Sequence, residues 1–195
     1  MKDVMKAQER EELHRTIWAI ANDLRGAVDG WDFKQYVLGM LFYRYISENL
    51  ASYVNRGEWD AGNKSFEYAK LTDREAESAR RDLVSVKGFF ILPSQLFSNV
   101  REKAAKDENL NETLSGVFRA IEDSARGTES ESDFAGLFDD IDVNSKKLGA
   151  TVEQRNDRLV KLMNGVGEMK LGDYKDNTID AFGCIDAQQS NRDKS

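Results

Sequence analysis

One cysteine, one proline and one histidine are all that 195 residues hold of three types that often carry chemistry or break structure. With Cys184 alone, no intramolecular disulfide and no cysteine-based zinc site can form. With Pro93 alone, no motif built on adjacent prolines is possible. His14 sits among Glu11, Glu12 and Arg15, a surface setting, and neither a Ser–His nor a Cys–His pair finds a third partner in an evident motif. A basic cluster is also missing. The formal charge is -7, and residues 101–150 hold seven basic against twelve acidic side chains. Tight binding of nucleic acid by the chain alone is therefore excluded, because phosphate neutralisation needs gathered Lys and Arg. The opening "MKDVMKAQEREELHR" lacks the apolar run of a signal peptide. "YVLGMLFY" is too short for a bilayer and is flanked by Lys34, Arg44 and Glu48. These absences describe a reduced, cytoplasmic, soluble protein with no membrane partner.

What is present suits a folded domain: 40% hydrophobic and 32% charged residues can supply a sizeable core. Leu13, Ile17, Ile20 and Leu24 follow helical spacing and predict an amphipathic helix over 7–25, ended by Gly26. A second helix begins at "WDFKQYVLGMLFYRYISENL". Asp32 is its expected N-cap, with Gln35 completing a variant capping box and Trp31 stapled to Tyr36. Beyond the cap this helix is apolar on nearly every side, so it should be enclosed by others. Gly39 in its interior costs about 1 kcal/mol relative to alanine, which a close helix crossing would explain.

Residues 55–70 read as a loop anchored by Trp59, Phe66 and Tyr68. Thr72 and Glu75 form a capping box for a third helix running to about Val84. "GFFIL", residues 88–92, is the best strand candidate, with a buried loop as the alternative. Ser94 is the expected cap of a helix carrying Leu96, Phe97 and Val100. Leu110, Leu114, Val117, Phe118 and Ile121 mark another helix, and Phe134, Leu137, Phe138 and Ile141 a helical turn or two. Thr151 and Gln154 open a last helix with Leu159, Leu162 and Met163, after which the pattern fades. The fold class is mainly α: a helical bundle around a central apolar helix, with at most a small β element near 88–92.

Two motifs fail on inspection. "GVGEMKLG", from Gly165, follows a helix rather than a strand and lacks the third glycine of a dinucleotide loop, so it reads as a helix C-cap and loop. "DIDVNS", from Asp140, begins like a calcium loop. Its sixth position holds Ser145 where glycine is needed, and its twelfth Thr151 where a bidentate glutamate is needed.

The segment from Leu13 to Leu50 resembles the N-terminal domain of the modification subunit of type I restriction–modification systems. The residues that carry the likeness are Trp18, Leu24, Arg25, Gly26, Asp29, Tyr36, Val37, Leu38, Gly39, Leu41, Phe42, Arg44, Tyr45, Ile46 and Ser47. The lysine that the pattern places near Tyr36 lies at Lys34. "FILPSQLFSNV", "FDDIDVNSKKLGATVEQRNDRLVKLM" and "LGDYKDNTIDAFG" resemble later blocks of that domain in the same order. The resemblance implies a helical domain over 1–170 and, over 171–195, a linker with a non-matching tail of disordered composition.

The resemblance also implies a parent enzyme that transfers a methyl group from S-adenosylmethionine to adenine N6 of a flipped base. Its glycine-rich cofactor loop and "NPPF"-type motif are not in this sequence. No catalytic residue, cofactor site or metal site is therefore expected here, and the chain reads as stopping at a domain border. Expected partners are a DNA specificity subunit, a second modification subunit, a restriction subunit and double-stranded DNA. Base readout would belong to the specificity subunit, leaving this domain to clamp the duplex through scattered backbone contacts.

Candidate backbone contacts are Arg80, Arg81 and Lys87 in one basic group and Lys146 and Lys147 in another. Arg25 and Arg44 could equally fix helix packing or touch DNA. The competing readings are a free-standing helical protein–protein module, which would need no specificity subunit, and an enzyme in its own right, which would need a cofactor pocket.

Overall fold

In a computed structural model the described residues are 30–169, with side chains described from Gln35 onward. The expected helix over 7–25, His14, Arg25 and the segment 171–195 lie outside the described residues. Helix α1 spans Gly30–Asp60, α2 Asp73–Glu77, α3 Arg80–Lys87, α4 Phe97–Ala104, α5 Leu110–Ser124, α6 Glu131–Phe134 and α7 Val152–Glu168. Single 3-10 turns occur at Tyr68–Lys70 and Pro93–Gln95. Among the described residues there is no strand.

α1 is the enclosed helix its composition demands. From Gln35 to Ser52 no side chain is exposed, and Tyr36, Val37, Met40, Tyr43, Ile46 and Leu50 are buried. α7 packs on α1, α4 and α5, so the layer facing α1 is built by helices distant in sequence. Tyr43 is the hinge of the core: its ring meets Phe97 at 5.4 Å and Phe118 at 5.5 Å, both edge to face. Phe118 stacks in turn on Phe138 at 4.3 Å. Each such ring removed from water contributes roughly 1.5–3 kcal/mol. The Tyr43 hydroxyl would be a liability at zero exposure, but it donates to the Gln95 carbonyl at 2.6 Å. Burial raises its pKa well above the ordinary tyrosine value, so it stays neutral.

Several boundaries differ from the sequence reading. α1 is already helical at Gly30, which places Asp32 inside the helix rather than at its cap. It then continues to Asp60, so residues 55–60 are helix and the anchored loop begins only at Ala61. The anchors hold: Trp59 Nε1 donates to the Phe66 carbonyl at 2.9 Å, and the Tyr68 hydroxyl to the Ile91 carbonyl at 2.8 Å. Asn55 fastens the loop to α1 by accepting from the Tyr68 amide at 2.7 Å.

The capping box at Thr72 forms with both bonds in place. The helix it opens breaks at Ser78–Ala79 and resumes as α3, which Gly88 ends in a left-handed conformation at φ 79°. "GFFIL" takes the buried-loop alternative: Phe89, Phe90 and Ile91 are buried, and the Phe90 amide is satisfied by Ser124 Oγ at 2.8 Å instead of a neighbouring strand. Leu96 is the cap residue of α4, because Pro93–Gln95 forms a 3-10 turn that carries Ser94 away to Asp73. Thr151 caps α7 by accepting from the Gln154 amide at 3.2 Å. The reciprocal glutamine bond goes to the Ala150 amide, one residue earlier than a full box requires.

Gly39 does mark a close approach, but the neighbour is not a helix. A Cβ at that position would run into Cδ1 and Cγ1 of Ile141, which comes from the loop after α6. The glycine is the socket in which that loop is seated.

Candidate functional site

Of the five basic residues singled out in the sequence, Arg80, Arg81 and Lys87 lie on α3 and Lys146 and Lys147 in the loop before α7. Arg80 is committed within its own neighbourhood. Its guanidinium donates to both carboxylate oxygens of Glu77, at 2.5 and 3.0 Å, and lies 4.3 Å from the Phe90 ring centroid. The Arg80 bond, its largest cause, holds the Glu77 carboxyl below the usual carboxylate range. Arg81, next along α3, is exposed. Lys87 closes the same helix, half-buried, with its ammonium 5.0 Å from the Tyr53 ring centroid. Lys146 and Lys147 are exposed in the loop between α6 and α7. That loop is fixed by Asn144, whose amide donates to its neighbour Asp142 at 3.0 Å and whose side chain accepts from Asn111. Arg158, on α7, donates to the Leu148 carbonyl in the same loop.

Arg44 resolves to packing. Its Nη1 donates to the carbonyls of Val166 and Met169, both at 2.7 Å, while Nε is held by Glu48 at 2.6 Å. The last carbonyls of a helix have no partners within the helix itself. Here an arginine on α1, 122 residues away from the nearer carbonyl, supplies them and places its charge where the helix dipole is negative. Composition alone could not reveal this; it follows from Arg44 lying on the α1 face turned toward the end of α7.

Beside this clamp a cleft of about 360 Å³ is lined by Arg44, Glu48, Ser98, Arg101, Glu102 and Asn164, among others. Arg101 Nε donates to Asn164 at 3.1 Å, and Nη2 lies 3.8 Å from Glu168. A second groove, about 540 Å³, lies between the end of α1 and α3. It brings Lys87 together with Arg56, a residue the sequence reading passed over because it assigned that stretch to a loop.

The glycine run at 165 does not supply a cofactor loop. Gly165 and Gly167 belong to the last turns of α7, which extends to Glu168, beyond the C-cap expected from the sequence. A Cβ on Gly167 would overlap the Arg101 guanidinium, so this glycine makes room for an arginine rather than a phosphate. A methyl-donor site of the strand–turn–helix kind does not fit these residues.

The HsdM N-terminal domain family matches residues 13–166. The chain belongs to that family. It is 45% identical over 186 residues to the type I restriction enzyme MpnII methylase subunit of Mycoplasma pneumoniae. That match covers 91% of this chain and 34% of the relative. The crystal structure of the type I restriction-modification system methyltransferase subunit from Streptococcus thermophilus aligns with a TM-score of 0.67 at 26% identity. It covers 84% of this chain and 35% of that one. The chain thus spans about a third of the length of the relatives it matches. It is an N-terminal domain of a type I restriction–modification methylase subunit, mainly helical. No described helix is long and apolar enough to cross a membrane.

Proposed function

We propose that this chain is the DNA-clamping and subunit-contact domain of a type I adenine-N6 DNA methyltransferase, working inside a multi-subunit complex. The family match over residues 13–166, to a domain occupying about a third of a methylase subunit, carries the reading. In that arrangement S-adenosylmethionine and the methyl transfer belong to the remaining two thirds of the subunit. The specificity subunit reads the bases. A second modification subunit and the restriction subunit complete the assembly.

The physical contribution of this domain is shape. Enclosure of α1 and the Arg44 bonds to Val166 and Met169 make the helices one rigid piece. A rigid piece loses little conformational entropy when it closes on a duplex. Its net charge of -7 keeps intrinsic DNA affinity low, so closure depends on partners that have already engaged the site.

A chimera tests this. The matching third of the Mycoplasma pneumoniae methylase subunit is replaced by this chain, and adenine methylation is measured with its specificity subunit. The chimera should methylate its site and a deletion of that third should not. A deletion as active as the chimera would overturn the reading. Calorimetry on the isolated chain with S-adenosylmethionine should show no heat of binding; a saturable signal would move the cofactor into this domain.

A further inference from the structure

Near its C-terminus α1 changes character. Arg56 and Gly57 are exposed, and with Tyr53 and Lys87 they line the groove of about 540 Å³ between α1 and α3. Neither Arg56 nor Lys87 has a carboxylate within 4 Å among the described residues. Two like charges face one groove, and the Glu58 and Asp60 side chains that also line it pair with neither. The consequence registers at Lys87, whose pKa is lowered first by burial and then by the charge of Arg56. The carbonyl end of α3 attracts Lys87, which lies in its last turn, but Arg56 lies short of the last turn of α1 and has no such partner.

A second observation is independent of charge. Gly57 lies within a helix, where glycine is unfavourable, and nothing stands within 4 Å of where its Cβ would be. Gly39, on the same helix, has a neighbour that requires the glycine; Gly57 has none. A bare stretch of helix wall beside two cations that lack a carboxylate partner leaves room for a ligand to approach closely. Asn49 and the Tyr53 hydroxyl, also lining the groove, can donate hydrogen bonds. Glu58 and Asp60 line it as well, so the groove can hold a single oxyanion at a time and not several adjacent ones.

We propose that this groove is a phosphodiester contact, in which Arg56 and Lys87 together hold one backbone oxyanion of double-stranded DNA. This rests on the DNA-clamping reading and gives that clamp a place. It selects Lys87 from the sequence candidates and adds Arg56. Arg80 is left out because Glu77 already occupies it.

The test uses the full 195-residue chain and a fluorescent duplex, with affinity followed across a salt series starting well below physiological strength. The double variant Arg56→Gln/Lys87→Gln should bind more weakly. Its plot of log K against log salt should be shallower by about one, the signature of one lost phosphate contact. Lys146→Gln/Lys147→Gln should keep the parental slope. Folding is controlled by the melting temperature, which should hold because the double variant removes a repulsion. The single change Arg56→Gln, at an exposed position, repeats the test if it does not. An unchanged slope in a variant of a chain that does bind DNA overturns the groove and leaves the clamp intact. Failure of the parental chain to bind duplex even at the lowest salt overturns the clamping reading, and this contact with it. Inorganic phosphate moving the Lys87 side-chain resonance where duplex does not would reassign the groove to a free oxyanion and overturn the DNA source.

Discussion

Two parts of one helix have opposite surroundings. From Gln35 to Ser52, α1 has no exposed side chain, while Tyr53, Arg56, Gly57, Trp59 and Asp60 in its last two turns are all exposed. The same contrast separates Gly39, plugged by Ile141, from Gly57, facing open space. The first part is scaffold: it answers to packing density, and any added atom must displace a neighbour. The second answers to solvent and to whatever meets the groove beside it. A helix this long can serve both ends because the enclosed turns fix the direction of the exposed ones.

Breaking the enclosed part should have the largest effect. Gly39→Leu drives a branched side chain into the position of Ile141 and should cost about 3 kcal/mol, seen as a large fall in melting temperature. An unchanged melt would mean the loop after α6 is not seated there. Arg44→Met comes next. It removes a charged donor from two carbonyls and leaves Glu48 without its arginine, and should cost about 2 kcal/mol. Amide exchange should quicken in the last turn of α7 more than in α5; uniform quickening would argue against a local clamp.

A smaller effect concerns pH and lies outside α1 altogether. The Thr72 hydrogen bonds hold the Glu75 carboxyl below its ordinary value, the side-chain bond being the larger cause. A carboxylate with a lowered folded-state pKa contributes stability above its unfolded value and loses it as pH falls through the folded one. The gap in stability between the parent and Thr72→Val should therefore be widest at neutral pH and narrow in acid. A gap independent of pH would show that the box does not depend on the ionised glutamate.

How far this contrast was legible in the sequence depends on the kind of signal. Enclosure of α1 was legible because Val37, Met40, Tyr43 and Ile46 fill one side of the helix and Leu38, Leu41, Phe42 and Tyr45 the other, which leaves no wide polar face for solvent. The cap at Thr72 was legible because a capping box is a local motif whose two bonds span three residues. The end of α1 was not. "NRGEWD" has a glycine and polar residues that favour a turn, whereas in the fold the Asn55 bond to Tyr68 and the Trp59 bond to Phe66 tie this stretch of helix to the loop that follows. The break at Ser78 was also hidden, since nothing in "EAESARRD" separates one helix from two. For the candidate site the limit was sharper. Arg80 and Lys87 look alike as letters, and only the fold shows that Glu77 holds one while Arg56 crowds the other. Arg44 lay in a recognisable block, but its acceptors are 122 and 125 residues away.

The division of α1 into a packed part and an open part is tested most directly by making the same substitution in both. Gly39→Ala and Gly57→Ala each add one methyl group to the same helix, and thermal melts of the two variants can be compared with the parent. The account predicts a lower melting temperature for Gly39→Ala, whose methyl meets Ile141, and a higher one for Gly57→Ala, worth about 1 kcal/mol of helix propensity. Shifts of the same sign in both variants would contradict it.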